Sequence, residues 1–371
     1  MKAPARRIFS PVVTVSELRS AFPVLDRLAY LNAGTDGPLA SAARAAATAE
    51  LDRELADGRS QAHFERRTEL TDRLRGAYAG LLGCDTADLA LTTSTTEGIA
   101  QVLGGLRLGA GSEIVTSDEE HPGLLGALSA ARELQGVEVR EVPMSELAEA
   151  VGPSTSLVAC SHVGWMSGLL APPELAEVDV PVLLDGAQGV GAIEVDVGAL
   201  GCDAYAGAGQ KWLCGPDGTG MLYVSPALRE RLAVWRRGYG NLADPGEGLE
   251  ASLHDDARCL DTLSLNAETV ACALAAVEVL AAAGWAAVHE RARALAERLA
   301  EELAARGREP APRGPSTLVS FASPDPAGER AVLAEAGVIL RNIPNRPWLR
   351  ASVGAWNDDN DLERLLDTLP S

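Results

Sequence analysis

The chain contains 371 residues, enough to bury a large hydrophobic core and to divide into two lobes. Its formal net charge of -20 at pH 7 excludes nucleic acid as the expected partner, because an acidic protein repels polyanions. A local cationic pocket for one small anion remains compatible with that total.

Residues 8–15 form the first apolar stretch, but Ser10 and Pro11 interrupt it. The stretch is too short and too broken for a signal peptide or a membrane span, so no membrane is expected among the partners. Farther along, strand-like runs alternate with helical ones, which is typical of an α/β protein with a largely parallel sheet. The predicted helices of this part are 40–55 and 63–82, and the predicted strands are 89–92, 113–116, 157–161, 181–185 and 220–224.

The pattern changes after about residue 250, where long helices rich in Ala, Glu and Arg begin. Gly284 and Gly307 follow the first two of these helices, the usual signal for a helix C-terminus. Segment 239–256 is rich in Gly, Asp and Pro and is expected to form connecting loops. The later predictions are helices 268–283, 286–306, 327–336 and 359–369, and strands 317–321, 337–341 and 349–353. We therefore expect an N-terminal arm (1–25), a large domain (26–250) and a small α+β domain (251–371).

Cysteine spacing indicates neither a disulfide framework nor a metal site. The six cysteines contain no Cys-x-x-Cys pair, and no histidine spacing suits zinc. Buried thiols in a reducing cytoplasm are the simplest interpretation.

Lysine is almost absent, which makes its one interior position informative. Of 32 basic residues only Lys2 and Lys211 are lysines. Arginine stays protonated, whereas a partly dry lysine loses its proton readily and becomes a nucleophile. Glycines and a proline flank Lys211, as expected where backbone closes around a ligand. A coding bias against lysine explains the many arginines but not this neighbourhood.

The glycine-rich segments do not follow nucleotide-binding patterns. Walker A requires Gly-Lys-Ser/Thr, and Lys211 lies instead in Gln-Lys-Trp. The run from Gly186 to Gly191 follows a predicted strand, but its spacing is not Gly-x-Gly-x-x-Gly. We therefore set a dinucleotide fold aside.

Asp185 and Lys211 suggest a different cofactor. Asp185 ends a very apolar strand, and ligands of open α/β sheets gather at the carboxyl ends of strands. An amine, a carboxylate and an anion-binding turn are what pyridoxal phosphate (PLP) requires. The turn at 93–98 supplies the third part, with hydroxyls and free N–H groups at a helix start, although helix capping alone also accounts for it.

Together these residues resemble the class V aminotransferase group of fold-type I PLP enzymes, which includes cysteine desulfurases, selenocysteine lyases and isopenicillin N epimerase. The resemblance extends from Tyr30-Leu-Asn-Ala-Gly34 to Leu349-Arg-Ala-Ser-Val353, and Asp185-Gly-Ala-Gln188 with Gly209-Gln-Lys-Trp-Leu-Cys-Gly-Pro216 is its specific core. It implies a large, mainly parallel domain, a smaller α+β domain, and a homodimer with shared active sites.

The resemblance also assigns roles to single residues. It makes Lys211 the Schiff-base lysine and proton carrier, Asp185 the partner of the pyridinium nitrogen, and His121 the residue that stacks on the ring. Arg350 would bind a substrate carboxylate bidentately. The remaining assignments are Thr95, Thr96 and Gln210 to the phosphate, Gln188 to the phenolic oxygen, Ser264 to the partner subunit's phosphate, and Asn32 and Trp165 to the substrate.

Three departures from the family pattern bear on the reaction. Ala208 and Gln210 replace a Ser and a His that contact phosphate in many members, and Trp165 stands where relatives often carry Asn. The last cysteine is Cys272, so the thiol that persulfide-forming desulfurases carry shortly before the Arg-Ala-Ser motif is missing. The leading hypothesis is a lyase that cleaves a carbon–sulfur bond by β-elimination. A transaminase or an epimerase is the alternative, and a PLP-binding regulatory protein without turnover is a further one.

Overall fold

The structure is a computed structural model that describes residues 14–15 and 17–370. Residues 1–13 of the predicted N-terminal arm, with Lys2, Ser10 and Pro11, lie outside the described residues. A seven-stranded sheet with strand order β2-β8-β7-β6-β5-β3-β4 forms the centre. All its strand pairs are parallel except those made by β8. The strands are β2 (Leu89–Thr92), β3 (Glu113–Ser117), β4 (Glu138–Val142), β5 (Thr155–Ser161), β6 (Val182–Asp185), β7 (Ala204–Ala208) and β8 (Gly220–Val224).

The central sheet is covered on both faces, which explains its continuous apolar strands. Neighbouring residues of β6 show this directly: Leu184 packs in one hydrophobic cluster with Val158 and Met221, and Leu183 packs in another with Leu157. Adjacent side chains of a strand point to opposite faces, so a strand buried on both sides needs apolar residues at every position. The prediction of a mainly parallel α/β fold is confirmed.

Nine α-helices surround the sheets within the described part of the chain: α1 (Ser41–Asp57), α2 (Gln61–Leu82), α3 (Thr95–Leu106), α4 (Pro122–Gln135), α5 (Pro226–Arg231), α6 (Ala267–Ala282), α7 (Trp285–Ala305), α8 (Pro326–Glu335) and α9 (Asp359–Thr368). The bounds of the helices predicted from the sequence agree with the observed bounds within two residues at each end. Gly284 and Gly307 have φ values of 83° and 76°, the left-handed backbone expected just after a helix. No single described helix is long and apolar enough to cross a membrane. Only α6 and α7 taken together, bent by 80° at their junction, reach that length and apolarity.

A second, antiparallel sheet lies in the C-terminal part, with order β11-β12-β9. Its strands are β9 (Leu318–Ala322), β11 (Arg341–Asn342) and β12 (Trp348–Ser352), while β1 (Ala29–Tyr30) pairs in parallel with β10 (Val338–Ile339). The prediction of one strand over 337–341 is wrong, because its two halves hydrogen-bond to different partners. The domain boundaries at 25 and 250 stay a prediction.

Two strands of the central sheet were not predicted. β7 consists of Ala, Tyr and Gly, without the β-branched residues that mark strands, and three of the five residues of β4 are charged. β7 matters most for the site, since it ends three residues before Lys211.

Candidate functional site

Asp185 and Lys211 meet at the carboxyl edge of the central sheet. Asp185 is the last residue of β6 and is 6% exposed, while Lys211 follows β7 and is partly accessible. Burial raises the pKa of Asp185 and lowers the pKa of Lys211 to about 8, and the charge of each group opposes the shift of the other. The Asp185 Oδ1 also accepts a hydrogen bond from the Ala187 N–H at 3.0 Å. The structure therefore places an amine and an acid in one dry crevice.

His121 caps the N-terminus of α4, and its ring faces Trp165. Its Nδ1 accepts a hydrogen bond from the Gly123 N–H at 2.9 Å, so the proton of the neutral ring lies on Nε2. The ring centroids of His121 and Trp165 are 5.1 Å apart in an edge-to-face arrangement. Burial, together with the charges of Lys211 and two nearby arginines, lowers the pKa of His121 to about 4. The ring is therefore neutral at neutral pH.

Arg350 on β12 carries a buried guanidinium that is largely unpaired. Its Nη1 donates to the Trp165 carbonyl at 2.5 Å. Among the described residues, Nε and Nη2 have no hydrogen-bond partner, and no carboxylate oxygen lies within 4.0 Å. A Cβ on Gly34 would lie 2.9 Å from Nη2 and 2.7 Å from the Ser352 Oγ, so only glycine fits there. Buried N–H donors without partners are suited to bind a carboxylate.

The first turn of α3 forms the predicted anion-binding turn. Ser94 is its N-cap and accepts a hydrogen bond from the Glu97 N–H at 3.1 Å. The Thr95 Oγ1 is buried, with no partner among the residues that the structure describes, whereas Thr96 is exposed. Gln210 likewise buries its Oε1 without a described partner. A helix N-terminus with an unpaired hydroxyl beside it fits a phosphate.

Gln188 holds the chain segment that covers the crevice. Its Nε2 donates to the Gly34 carbonyl at 2.8 Å, and its Oε1 accepts from the Trp212 Nε1 at 2.9 Å. One N–H of the amide remains for a further partner. The side chain predicted to contact the phenolic oxygen therefore also fixes the segment that contains Gly34.

Asn32 lies in the same covering segment. Its Oδ1 accepts a hydrogen bond from the Thr35 Oγ1 at 2.9 Å, and its backbone forms a parallel bridge to Ser352, two residues beyond Arg350. Its role in substrate binding stays a prediction.

Ser264 lies two residues after Thr262, whose side chain hydrogen-bonds to Glu97 in the first turn of α3. It is exposed in the loop before α6, as is Leu263 beside it. The backbone N–H of Thr262 donates to the Leu91 carbonyl at 2.7 Å, which anchors this loop to β2. A contact between Ser264 and a partner subunit's phosphate stays a prediction.

Sequence reasoning missed Arg341, which faces the site from β11. Arg341 and Arg350 are directly opposite each other in the antiparallel register of β11 and β12. The Arg341 guanidinium lies over the Trp165 ring, 5.5 Å from the centroid. Arg341 precedes Arg350 by nine residues, which places the two opposite each other in a hairpin. The sequence shows this spacing, but it identifies Arg341 as a site residue only if the register of the hairpin is known.

Taken together, these groups fit PLP. The unpaired Thr95 hydroxyl lies at a helix start, Asp185 and Lys211 interact in a dry crevice, and a neutral His121 ring lies nearby. Ala208, at the buried end of β7, offers no hydroxyl, so the phosphate would depend on α3 and Gln210.

Comparison with known families and sequences gives a consistent result. A family model described as aminotransferase class-V matches residues 32–365. An isopenicillin N epimerase of Amycolatopsis lactamdurans is 31% identical over 334 residues, covering 80% of this chain and 83% of that protein. Another, of Streptomyces clavuligerus, is 34% identical over 174 residues, covering 43% of this chain and 44% of its own length. A cysteine desulfurase of Salmonella gallinarum is 30% identical, covering 60% and 61% of the two chains.

Solved structures agree over nearly the whole chain. A C-DES mutant with glycine covalently linked to its PLP cofactor superimposes with a TM-score of 0.88 at 28% identity, covering 94% of this chain and 98% of the other. A second structure, described as the cystine C-S lyase C-DES with its product cysteine persulfide, gives a TM-score of 0.87 at 28% identity. The match covers 93% of this chain and 98% of the other. The cysteine desulfurase CsdA of Escherichia coli gives 0.84 at 26% identity, covering 96% and 98%.

Proposed function

The chain belongs to the class-V aminotransferase family and is a PLP-dependent enzyme, and from that premise we propose that it is a carbon–sulfur lyase. Its substrate is an amino acid that carries a sulfur leaving group on the β-carbon. The sulfur leaves without attack by an enzyme thiol.

The observation that carries this proposal is the state of the cysteines. Burial raises the pKa of all six thiols, to about 12 for Cys84 and Cys202. The thiolate is the nucleophile, so none of these groups is prepared for attack at neutral pH. The hairpin from Arg341 to Arg350 contains no cysteine. Elimination therefore fits this chain better than transfer of sulfur to an enzyme thiol.

The residues of the crevice divide the reaction between them. When bound, PLP supplies an electron-accepting ring that stabilises negative charge at the α-carbon. Arg350 binds the substrate carboxylate through its free Nε and Nη2 donors. Lys211 has a pKa of about 8, so its Nζ accepts the α-proton near neutral pH and then donates a proton to the departing sulfur. With PLP bound, Asp185 would hold a proton on the pyridine nitrogen, and the neutral His121 ring would lie beside the cofactor without adding charge.

The overall reaction is balanced without any redox partner. One substrate and one water give the free thiol, ammonium and a 2-oxo acid, as the α-proton and the β-sulfur leave and water replaces nitrogen. The likeness to a structure described as a cystine C-S lyase supports this assignment.

The direct test is product release by the holoenzyme from a panel of cysteine S-conjugates. We expect thiol and pyruvate in equal amounts, measured with a thiol reagent and with lactate dehydrogenase. Prior treatment with iodoacetamide should leave the rate unchanged, because no enzyme thiol takes part. Absence of both products across the panel would reject the lyase proposal.

Epimerisation is the second candidate, because the relative that covers 80% of this chain at 31% identity is an isopenicillin N epimerase. For an epimerase in deuterated water, we expect the α-proton to exchange with deuterium and the configuration of the α-carbon to invert, without thiol release. Conversion of an added 2-oxo acid to an amino acid would instead indicate a transaminase. Full biological activity of a Lys211→Ala variant would indicate a regulatory protein without turnover.

We also propose a cytoplasmic homodimer with shared active sites. All six cysteines are free, as in a reducing compartment. In the single chain, Leu263 beside Ser264 is 43% exposed and Tyr239 is 77% exposed. Exposed apolar side chains of this kind would be buried where a partner subunit binds. A solution mass of twice that of one chain, measured by sedimentation equilibrium, would support the dimer.

The Thr95→Val variant tests the phosphate assignment. We expect its affinity for PLP to fall by about tenfold, since one hydrogen bond to a charged group is lost. The cofactor-free protein should be as stable as before or more stable, because the buried hydroxyl has no described partner. Fluorescence titration with PLP and thermal unfolding measure the two effects.

Thr116→Val is the matched control, because the Thr116 hydroxyl on β3 is also buried without a described partner. It should leave PLP affinity unchanged. Equal losses in both variants would mean that Thr95 acts through packing alone.

A further inference from the structure

One peptide group beside the crevice lies between a buried cation and a buried carboxylate. It joins Trp165 to Met166. Its carbonyl accepts a hydrogen bond from the Arg350 Nη1 at 2.5 Å, and its N–H donates to the Glu119 Oε2 at 3.2 Å. The C=O and N–H of a trans peptide point in opposite directions, so the negative end of its dipole meets the arginine and the positive end meets the glutamate. A single peptide therefore connects Arg350 to Glu119.

The next peptide of the chain is held in the same way. The Ser320 Oγ donates a hydrogen bond to the Met166 carbonyl. On the opposite side, the Ser167 N–H donates to the Glu119 Oε2 at 2.9 Å. Ser320 on β9 and Arg350 on β12 are cross-strand partners, so the sheet presents two neighbouring donors to two consecutive carbonyls. The segment is thus fixed between the C-terminal sheet on one side and one carboxylate on the other.

Glu119 is buried for these two N–H groups and for no cation. Its side chain belongs to a residue that is 8% exposed, and among the described residues no cationic nitrogen lies within 4.0 Å of its carboxylate. Burial raises the pKa of Glu119, and the hydrogen bonds from Ser167 and Met166 oppose this shift. A Cβ on Gly164 would lie 2.9 Å from the Glu119 Oε2, so a side chain at that position would displace the carboxylate. A buried charge is costly unless it is hydrogen-bonded, and here its partners are the loop N–H groups.

We propose that Glu119 is a positioning residue for substrate binding, which fixes the peptide between Trp165 and Met166 so that its carbonyl orients the Arg350 guanidinium. Nε and Nη2 of Arg350 then point free donors at the substrate carboxylate. Glu119 acts through this peptide and does not itself contact the substrate. Without its carboxylate the two N–H groups turn toward other acceptors, because buried backbone donors do not stay unpaired. The inference rests on the proposed role of Arg350 in binding the substrate carboxylate.

The variants Glu119→Ala and Glu119→Gln test the inference in the holoenzyme. L-alanine and L-alaninamide differ in the carboxylate and carry no leaving group, so their binding, followed by the absorbance of the bound cofactor, does not depend on lyase activity. We expect Glu119→Ala to weaken binding of L-alanine by about tenfold, the value of one hydrogen bond to a charged group, and to leave L-alaninamide unchanged. Glu119→Gln should weaken L-alanine by no more than about threefold, because its amide oxygen still accepts both N–H groups.

Asp118→Ala is the matched control. Asp118 precedes Glu119 in the chain, and its Oδ1 also accepts a backbone hydrogen bond, from the Met144 N–H at 3.1 Å. Met144 follows β4 at the edge of the central sheet, away from Trp165. Asp118→Ala should therefore leave the affinities for both ligands unchanged. Equal weakening of L-alanine in the alanine variants of Asp118 and Glu119 would overturn the inference.

A double mutant separates positioning from a general disturbance of the site. In the Arg350→Met background, Glu119→Ala should not weaken L-alanine further, because the two residues act as one unit. A further loss there, or an equal loss for L-alanine and L-alaninamide in Glu119→Ala, would overturn the inference. If Arg350→Met binds both ligands as the wild type does, the carboxylate role of Arg350 fails together with the inference. If Arg350→Met weakens L-alanine and Glu119→Ala does not, the inference alone fails.

Discussion

Replacing Lys211 by alanine is expected to lower turnover by about a hundredfold to ten-thousandfold, the range for loss of a positioned acid–base group. Lys211 is the only lysine among the residues that the structure describes, and its lowered pKa suits proton transfer near neutral pH. Borohydride reduction of the wild-type holoenzyme should fix the mass of the cofactor on the peptide that contains Lys211. The variant should show no such addition.

Lys211→Arg is the matched control for charge. Arginine keeps a cation beside Asp185 but stays protonated, so it neither bonds to the cofactor nor accepts a proton. We expect it to be as inactive as the alanine variant. Activity restored by arginine would mean that Lys211 acts only as a cation, and would contradict its proton-transfer role.

The Lys211→Ala variant also has a pH-dependent effect on stability. Burial lowers the pKa of Lys211 from 10.5 to about 8 in the folded state. The folded protein therefore bears the full cost of the charged amine below pH 8 and loses this cost as the pH rises toward 10.5. The cofactor-free variant should exceed the wild type in unfolding free energy at neutral pH, and the difference should narrow across that window. Thermal unfolding in buffers from neutral to alkaline pH measures it.

The part of the site that can be predicted from the sequence depends on local rules. Asp185 closes a predicted apolar strand, whereas the strand that the lone interior lysine follows, β7, was not predicted. Because ligands of open α/β sheets gather at the carboxyl ends of strands, Asp185 and the isolated lysine shortly after it are expected at one crevice even without β7. The turn before α3 follows from capping residues in the same way.

The part that the sequence does not predict depends on pairing between distant segments. The contact of Arg341 with Trp165 and its position opposite Arg350 require the register of a hairpin and the packing of that hairpin on the loop after β5. The division of 337–341 into β10 and β11 depends on β1, about 300 residues earlier in the chain. Local patterns contain no information on such long-range pairing. For the same reason, the surroundings of Ser264 in a dimer stay a prediction.

Arg350→Met is expected to change activity and stability in opposite directions. Without the guanidinium, kcat/KM should fall by about a hundredfold to a thousandfold, the cost of truncating one partner of a buried charge pair. In the ligand-free protein the same change removes a buried cation whose Nε and Nη2 have no described partner. We therefore expect the free energy of unfolding to rise by about 1–3 kcal/mol. Steady-state kinetics and chemical denaturation measure the two quantities.

Arg75 provides the control that distinguishes a binding arginine from a structural one. It is buried like Arg350, but its Nη2 lies 2.7 Å from the Asp261 Oδ2 and its Nη1 donates to the Leu89 carbonyl at 2.8 Å. Arg75→Met leaves the largely buried Asp261 without its cation and should cost about 3–5 kcal/mol of unfolding free energy. If the free energy of unfolding rises in Arg350→Met and falls in Arg75→Met, Arg350 serves to bind a ligand and Arg75 serves to stabilise the fold. A comparable loss of stability in both would show that Arg350 is structural, and the carboxylate site would have to be sought elsewhere in the crevice.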